Sequence, residues 1–244
     1  AEQELACEMS VNDSRMRSVV VVGWPESLLK DRIVPVIDDS SLHISILPSS
    51  GTVELILRGD PVRIESGART LRELLPGDCL PEGCFSIAED LLREARKRNV
   101  TLSFAESCTG GLLGAALTDI PGSSDVFLGS AVCYGNSAKK HILSVSGDLL
   151  ERFGAVSSEC AIAMAKGALN QFDSDITLSV TGVAGPGGGS EEKPVGAVWF
   201  ALAGLCGERA FLHHFPGDRL QIRRRAMNTG LLVLRKTLME LTML

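Results

Sequence analysis

The chain has 244 residues, of which 45% are hydrophobic, 22% are charged and 5% are aromatic, so we expect a globular protein with a mainly aliphatic core. Its formal net charge of -6 argues against a broad nucleic-acid-binding surface, which needs clustered basic residues. It contains no apolar run of the roughly 18 residues that span a membrane and no recognisable signal peptide, so we expect a cytoplasmic protein without a membrane partner.

Cysteine and histidine spacing indicates neither a disulfide framework nor a metal site. The seven cysteines include no CxxC pair, which predicts reduced thiols. The four histidines form no cluster with the spacing of metal ligands. We therefore expect no metal and no other cofactor.

The N-terminal part of the chain is predicted to form a small α+β module. The buried strand RSVVVVGW precedes a helix that starts at Pro25 and ends at Pro35. Two alternating strands, LHISILP and VELILRG, are joined by a Ser/Gly turn and predict a hairpin. A further short helix is predicted at 69–75.

A domain boundary is predicted where Pro and Gly become frequent. The stretch LLPGDCLPEGC (74–84) is typical of a linker, so we expect a module over residues 1–80 and a second domain over 81–244. Residues 1–80 carry a net charge of -5, which favours a packing or linking role over RNA binding.

The second region alternates between strand and helix patterns, which predicts a three-layer α/β/α domain. A late hairpin, VGAVWFALAGL with GERAFLHHF, predicts that the sheet is mixed rather than purely parallel. The other strands are VTLSFAES, DVFLGSAVCYG and SDITLSVTG. Helices are predicted for FSIAEDLLREARKRN, CTGGLLGAALTDI, NSAKKHIL with Asn136 as N-cap, SGDLLERFG, SSECAIAMAKGALNQF and GDRLQIRRRAMNTGLLVLRKTLMEL.

The stretch FAESCTGGLLGAAL (104–117) places a hydroxyl, a thiol and two glycines where a strand passes into a helix. Backbone N–H groups at a helix start can bind a developing oxyanion, so Ser107 is a candidate nucleophile, although this stretch alone favours a plain N-cap. Cys108 is a second candidate, because a helix N-terminus favours a thiolate. Gly110 allows a close approach to this joint.

Tyr134, the only tyrosine, and Lys139 follow the next strand in the segment VCYGNSAKKHIL. Either side chain, with a lowered pKa, can take a proton from a serine hydroxyl without a histidine. The alternative interpretation is a tyrosine at an interface and a solvated lysine.

A long glycine-rich loop lies in SVTGVAGPGGGSEEKPVGAVWF, and such a loop can bring its backbone against a phosphate or sugar. Thr181 precedes the loop. In FPGDRLQIRRRA, Asp218 is a candidate helix cap, and Arg219 opposes the helix dipole, which phosphate recognition would explain. The run 223–225 is interpreted as partly solvated face and partly subunit interface.

Five segments, AESCTGG, YGNSAKK, GAVSSE, TGVAGPGGGSEEKPVGAVWFA and FPGDR, occur in one order. Together they resemble the C-terminal domain of the CinA family of competence- and damage-inducible proteins, which also exists alone as bacterial nicotinamide mononucleotide amidase. The resemblance covers about residues 85–244, and residues 1–80 resemble the family's KH-type linking domain more weakly. The family's large N-terminal domain, which resembles molybdopterin-binding folds, has no counterpart in this sequence.

The resemblance implies hydrolysis of nicotinamide mononucleotide to nicotinic acid mononucleotide and ammonia, a step of pyridine nucleotide salvage that needs no cofactor. It implies a homo-oligomer, a dimer or larger, and no nucleic-acid partner. The alternative is a non-catalytic nucleotide-binding or partner-docking module in the competence or DNA-damage response. The implied catalytic residues are Ser107, Tyr134 and Lys139, and the implied substrate contacts are Cys108, Thr109, Gly110, Thr181, Gly185, Gly187, Gly188 and Arg219.

Overall fold

The computed structural model describes residues 15–49 and 51–241. The chain divides into two compact units, and the division falls between Phe85 and Ser86. Each unit combines a sheet with helices. No helix in the described ranges has both the length and the hydropathy to cross a bilayer.

The N-terminal unit is a three-stranded antiparallel sheet packed against helices. The strand order is β1-β3-β2, so β3 is central. Side chains from the sheet and the helices share one apolar core. The strands are β1 (Met16–Val22), β2 (Leu42–Pro48) and β3 (Thr52–Gly59), and the helices are α1 (Glu26–Arg32), α2 (Val34–Ile37) and α3 (Pro61–Leu74).

Two helix predictions in this unit need correction. The single helix expected from Pro25 is two short helices, with Ile33 between them. The helix expected at 69–75 is only the second half of α3, which is capped by Asp60, whose carboxylate accepts from Val62 N at 3.0 Å. Gly67 does not break this helix, because its missing side chain makes room for Leu42 of β2 and Leu57 of β3.

The C-terminal unit contains a five-stranded mixed sheet with the order β5-β4-β6-β7-β8. β4 is parallel to β5 and β6, whereas β6, β7 and β8 run antiparallel to one another. The predicted mixed α/β fold is therefore confirmed. The strands are β4 (Leu102–Glu106), β5 (Phe127–Val132), β6 (Ile176–Gly182), β7 (Ala197–Gly204) and β8 (Arg209–His214).

Helices cover both faces of this sheet. Ala201 packs with Ala161 of α8, while its neighbour Phe200 lies against Gly230 of α9, and successive strand residues point to opposite faces. α6 and α7 pack beside α8, whereas α4 and α5 pack beside α9, which confirms the three layers. The helices are α4 (Ile87–Arg98), α5 (Leu112–Thr118), α6 (Asn136–Leu143), α7 (Gly147–Phe153), α8 (Ser158–Phe172) and α9 (Arg219–Glu240).

Three helix starts test the predicted caps. Ser157 caps α8 by accepting from Cys160 N at 3.1 Å. Asp218 caps α9 within a capping box that includes Gln221. The predicted Asn136 cap is wrong by one residue, because Gly135 is the N-cap of α6 and no side chain caps this helix.

A buried ion pair links α4 to α9. Asp90 Oδ2 lies 2.5 Å from Arg235 Nε, and both side chains are almost fully buried. Such a pair contributes little net stability but is costly to break, because one buried charge would lose the opposite charge beside it.

The chain connections place a crevice at the end of β4. The connection from β4 through α5 leads to β5 on one side, and the connection from β5 through α6, α7 and α8 leads to β6 on the other. Ligands of open α/β sheets bind where the strand order reverses in this way, beyond the carboxyl ends of the parallel strands.

Candidate active site

Ser107 lies immediately beyond the carboxyl end of β4. Its backbone N–H donates to Val180 O at 2.9 Å, and Glu106 O accepts from Cys133 N at 2.7 Å. The end of β4 is therefore fixed to both neighbouring strands, and Ser107 is 7% exposed.

A turn, not a helix, follows Ser107. Gly110 N donates to Ser107 O at 3.1 Å, and the backbone at Gly110 and Gly111 has φ of +60° and +94°, which glycine adopts without strain. Gly111 is the N-cap of α5, which begins only at Leu112. The interpretation of Ser107 as a helix cap is therefore wrong, and we call residues 107–111 the nucleophile turn.

The donors at the start of α5 are occupied by Glu106, a buried residue that sequence reasoning did not single out. Its carboxylate accepts from Gly111 N at 2.9 Å, Leu113 N at 3.1 Å, Gly114 N at 2.9 Å and Ser130 Oγ at 2.8 Å. The helix N-terminus therefore binds an internal carboxylate. The expectation that these helix donors would serve an oxyanion is wrong.

Lys139 is the buried partner of Ser107. Its Nζ lies 3.0 Å from Ser107 Oγ, 2.8 Å from Cys133 O and 3.3 Å from Tyr134 O, and the side chain is 1% exposed. Burial lowers the pKa of Lys139, because the charged amine is desolvated. The two carbonyl oxygens can only accept, so in the neutral amine the lone pair faces the Ser107 hydroxyl. A solvated lysine is excluded.

Tyr134 lies at the mouth of the site and is 61% exposed. Its hydroxyl accepts from Arg219 Nη2 at 2.9 Å, while Arg219 Nη1 donates to Gly185 O at 2.8 Å. Arg219, at the start of α9, therefore connects Tyr134, which follows β5, to the glycine-rich loop.

These side chains surround a cleft of about 160 Å³. Thr181 contributes a buried wall, where its hydroxyl donates to Ala155 O at 2.8 Å. Four of the lining residues, Ala155, Val156, Gly182 and Ala184, were not foreseen, since small side chains carry no chemical signal. The cleft is lined by Ser107, Cys108, Tyr134, Lys139, Ala155, Val156, Thr181, Gly182, Ala184 and Arg219.

The remaining expected substrate contacts lie outside this lining. Thr109 is fully buried, and its hydroxyl has no hydrogen-bond partner among the described residues. Gly185 is tied to Arg219, whereas Gly187 and Gly188 lie in the exposed part of the loop.

Cys108 is not an activated thiol. It is 4% exposed, and burial raises the pKa of its thiol to about 12, with the Glu106 carboxylate acting in the same direction. The expectation of a thiolate favoured by a helix N-terminus is therefore wrong, because no helix begins at this residue.

Arg223 is a second residue that sequence reasoning placed incorrectly. Its Nε donates to Cys108 O at 3.1 Å and its Nη2 to Thr109 O at 2.7 Å. It was assigned to a solvated face or a subunit interface, but it is half-buried against the nucleophile turn. The available signal was its position four residues after Arg219, which puts both side chains on one face of α9.

No three His, Cys, Asp or Glu side chains in the described part of the chain come together as metal ligands. What the cleft brings together is a hydroxyl, a buried amine and an exposed guanidinium. This set can attack an electrophilic carbon, move one proton and bind an anion.

The family model and the similar proteins that were found all name the same family. Residues 85–238 match the CinA C-terminal domain. A CinA-like protein of Fervidobacterium nodosum is 39% identical over 242 residues, which cover 96% of this chain and 59% of that protein. A CinA-like protein of Geotalea uraniireducens is 53% identical over 146 residues, which cover 60% of this chain and 35% of that protein. The chain spans little more than half the length of the first of these relatives.

Solved structures match the C-terminal part. A competence/damage inducible protein from Agrobacterium tumefaciens is similar with a TM-score of 0.59 and 40% identity, over 62% of this chain and 93% of that one. The competence damage-inducible protein A from Klebsiella pneumoniae is similar with a TM-score of 0.62 and 31% identity, over 64% of this chain and 97% of that one. The likeness therefore includes nearly the whole of each solved chain.

Proposed function

The chain belongs to the CinA family through its C-terminal domain, and on that premise we propose that it hydrolyses the carboxamide of nicotinamide mononucleotide. The products are nicotinic acid mononucleotide and ammonia. The observation that carries the proposal is the 3.0 Å separation of Ser107 Oγ from the buried Lys139 Nζ. A hydroxyl beside a neutral amine is an activated nucleophile.

The first half-reaction forms an ester on Ser107. Ser107 Oγ attacks the carboxamide carbon while its proton passes to Lys139 Nζ, and the carbonyl electrons move onto the oxygen. When this oxyanion collapses, the carbon–nitrogen bond breaks and Lys139 gives the proton to the departing nitrogen. Ammonia leaves, and the amine of Lys139 is neutral again.

The second half-reaction consumes water. Lys139 takes a proton from a water molecule that attacks the ester carbon, and the oxyanion collapses a second time. The carbon–Oγ bond breaks, and Ser107 recovers its proton from Lys139. The sum is one amide and one water converted into one carboxylic acid and one ammonia, with no change of oxidation state.

Substrate recognition is proposed to centre on Arg219. Its guanidinium is exposed beside the cleft and held in place by Tyr134 and Gly185. A planar guanidinium held in this way suits a phosphate oxygen, because the side chain loses little further freedom on binding. The exposed backbone around Gly187 supports the same anion.

The test is to incubate the purified chain with nicotinamide mononucleotide and to measure nicotinic acid mononucleotide and ammonia. We expect both products from the unmodified chain and none above background from Ser107→Ala. Equal ammonia release from the two proteins would overturn the proposal. Calorimetric binding of the nucleotide without turnover would instead support a non-catalytic nucleotide-binding module.

The assembly and the N-terminal unit also belong to the proposal. We propose a homo-oligomer that does not bind nucleic acid, and a KH-type-like linking role for the N-terminal unit. Light scattering after size-exclusion chromatography tests the first point. Salt-sensitive retention of RNA by the full chain would contradict the absence of nucleic-acid binding. The net charge of -6 predicts no such retention.

A further inference from the structure

Arg223 has no place in the reaction described above, yet it contacts the segment that carries the nucleophile. It lies one helical turn after Arg219 on α9, outside the residues that line the cleft. Its guanidinium donates two hydrogen bonds, to Cys108 O at 3.1 Å and to Thr109 O at 2.7 Å. Both acceptors belong to the nucleophile turn.

Gly110 makes this approach possible. A Cβ at Gly110 would lie 3.2 Å from Arg223 Nη2, which is tighter than most real contacts, and the φ of +60° would strain any other residue. The glycine was expected to make room for substrate. The space that it leaves is next to the guanidinium.

The two carbonyl groups are coupled to the N–H groups of the turn. Cys108 O shares its peptide with Thr109 N–H, and Thr109 O shares its peptide with Gly110 N–H, which donates to Ser107 O at 3.1 Å. A cation that donates to a carbonyl polarises the peptide and strengthens the N–H on its other side. Arg223 therefore acts directly on peptides 108–109 and 109–110, and through the Gly110–Ser107 hydrogen bond on peptide 107–108, which carries Cys108 N–H.

Glu106 already occupies the N–H groups of Gly111, Leu113 and Gly114, which leaves the nucleophile turn as the candidate source of oxyanion donors. The N–H groups of Cys108 and Thr109 have no backbone or side-chain oxygen partner within the described ranges. Ser107 and Cys108, whose shared peptide carries the first of these N–H groups, both line the cleft.

We propose that Arg223 is a positioning residue that orients and polarises the N–H donors of the nucleophile turn toward the oxyanion formed on attack by Ser107. The inference rests on the proposed function for its substrate. The hydrogen bonds from these N–H donors strengthen only when negative charge develops on the substrate oxygen. Loss of Arg223 therefore lowers kcat and leaves nucleotide binding almost unchanged.

The experiment compares Arg223→Gln, Arg223→Lys and Arg224→Gln with the unmodified chain. Arg224 is the matched control, because it is the exposed neighbour on the same helix. We measure kcat and KM with nicotinamide mononucleotide, and calorimetric affinity for this nucleotide in a Ser107→Ala background. Circular dichroism and urea unfolding establish that each variant is folded.

A second readout does not depend on the nucleotide. A fluorophosphonate reacts with an activated serine as the Oγ–phosphorus bond forms and fluoride leaves, and the phosphoryl oxygen develops negative charge in the same donor site. The labelling rate of Ser107 is measured by intact mass. It reports on Arg223 whether or not the natural substrate is the one proposed.

We expect Arg223→Gln to lower kcat and the labelling rate by about 10- to 100-fold. Arg223→Lys recovers part of both rates, and Arg224→Gln matches the unmodified chain. Unchanged rates in folded Arg223→Gln, or a rise in KM at constant kcat, would overturn the inference. Arg223-dependent labelling without any nucleotide turnover would support the inference and refute the proposed function.

Discussion

Lys139 Nζ lies 3.0 Å from Ser107 Oγ, although the two residues are 32 positions apart and follow different strands of the sheet. The lysine is almost fully buried, so its amine is largely screened from bulk water. Its three partners are the serine hydroxyl and two backbone carbonyls. The protein thereby holds a base of high intrinsic strength in surroundings that favour the neutral form.

The pH dependence of kcat/KM should report the ionisation of Lys139. Burial lowers its pKa below the ordinary 10.5, so the neutral base becomes available below that pH. We expect the rate to be lost at low pH, where the amine is protonated, and to rise through a midpoint below 10.5. Lys139→Arg, which stays protonated, should lower kcat by roughly 10³-fold or more at every pH.

Tyr134→Phe should raise KM more than it lowers kcat. The Tyr134 hydroxyl accepts from Arg219 rather than from Lys139, so its loss frees the guanidinium that we assign to the substrate phosphate. We expect about a tenfold rise in KM, equivalent to one hydrogen bond. Because both residues act together, Tyr134→Phe and Arg219→Gln should be less than additive in a double-mutant cycle. A selective fall in kcat would assign the hydroxyl to proton transfer.

Glu106→Gln should destabilise the C-terminal unit. The carboxylate accepts four hydrogen bonds, three of them from backbone N–H groups, and a glutamine turns one acceptor atom into a donor that faces other donors. We expect a loss of about 3 kcal/mol in the free energy of unfolding, measured by urea denaturation. Glu151→Gln, at an exposed position on α7, should change it by less than about 0.5 kcal/mol.

Removing one charge of the ion pair between α4 and α9 should lower the free energy of unfolding more than replacing both charges does. Asp90→Asn leaves the Arg235 charge buried without its carboxylate, for an expected loss of about 3–5 kcal/mol. The double variant Asp90→Leu with Arg235→Met removes both charges and should recover most of that loss. Urea unfolding of Asp90→Asn and of the double variant measures the difference. A double variant less stable than Asp90→Asn would contradict this account.

Cys108 should resist alkylation in the native protein. With a pKa of about 12, roughly one Cys108 thiol in 10⁴ is ionised at pH 8, and the side chain is also buried. We expect iodoacetamide to label the less buried Cys206 at least about tenfold faster, as measured by peptide mass spectrometry. In urea the two rates should converge. Rapid native labelling of Cys108 would indicate a different environment for the nucleophile turn.

The C-terminal fold was largely predictable because its periodic segments agree with their final structure. Strand β6 and helices α8 and α9 have strong patterns and, for the helices, recognisable caps at Ser157 and Asp218. The start of α5 was not predictable from the helical pattern, because the residues before Leu112 form a turn in which Gly110 and Gly111 adopt positive φ. The first half of α3 was missed, and Gly67 within it makes room for Leu42 of β2 and Leu57 of β3, which only the tertiary structure shows.

Ser107, Tyr134 and Lys139 could be proposed from the sequence because each carries its own chemical signal. Glu106 and Arg223 could not, since their roles depend on which backbone groups the fold brings to them. Glu106 beside a serine and Arg223 within a run of arginines are each compatible with many roles. Only the tertiary structure shows that Glu106 accepts from the N–H groups at the start of α5 and that Arg223 donates to two carbonyl oxygens of the nucleophile turn.

The cleft draws on four distant stretches of the chain, represented by Ser107, Lys139, Thr181 and Arg219. These stretches are far apart in sequence, so bringing them together costs loop-closure entropy and is slow relative to helix formation. Recovery of catalysis after dilution from denaturant should therefore lag behind recovery of helical circular dichroism. The onset of catalysis during refolding would then report when these four stretches have come together.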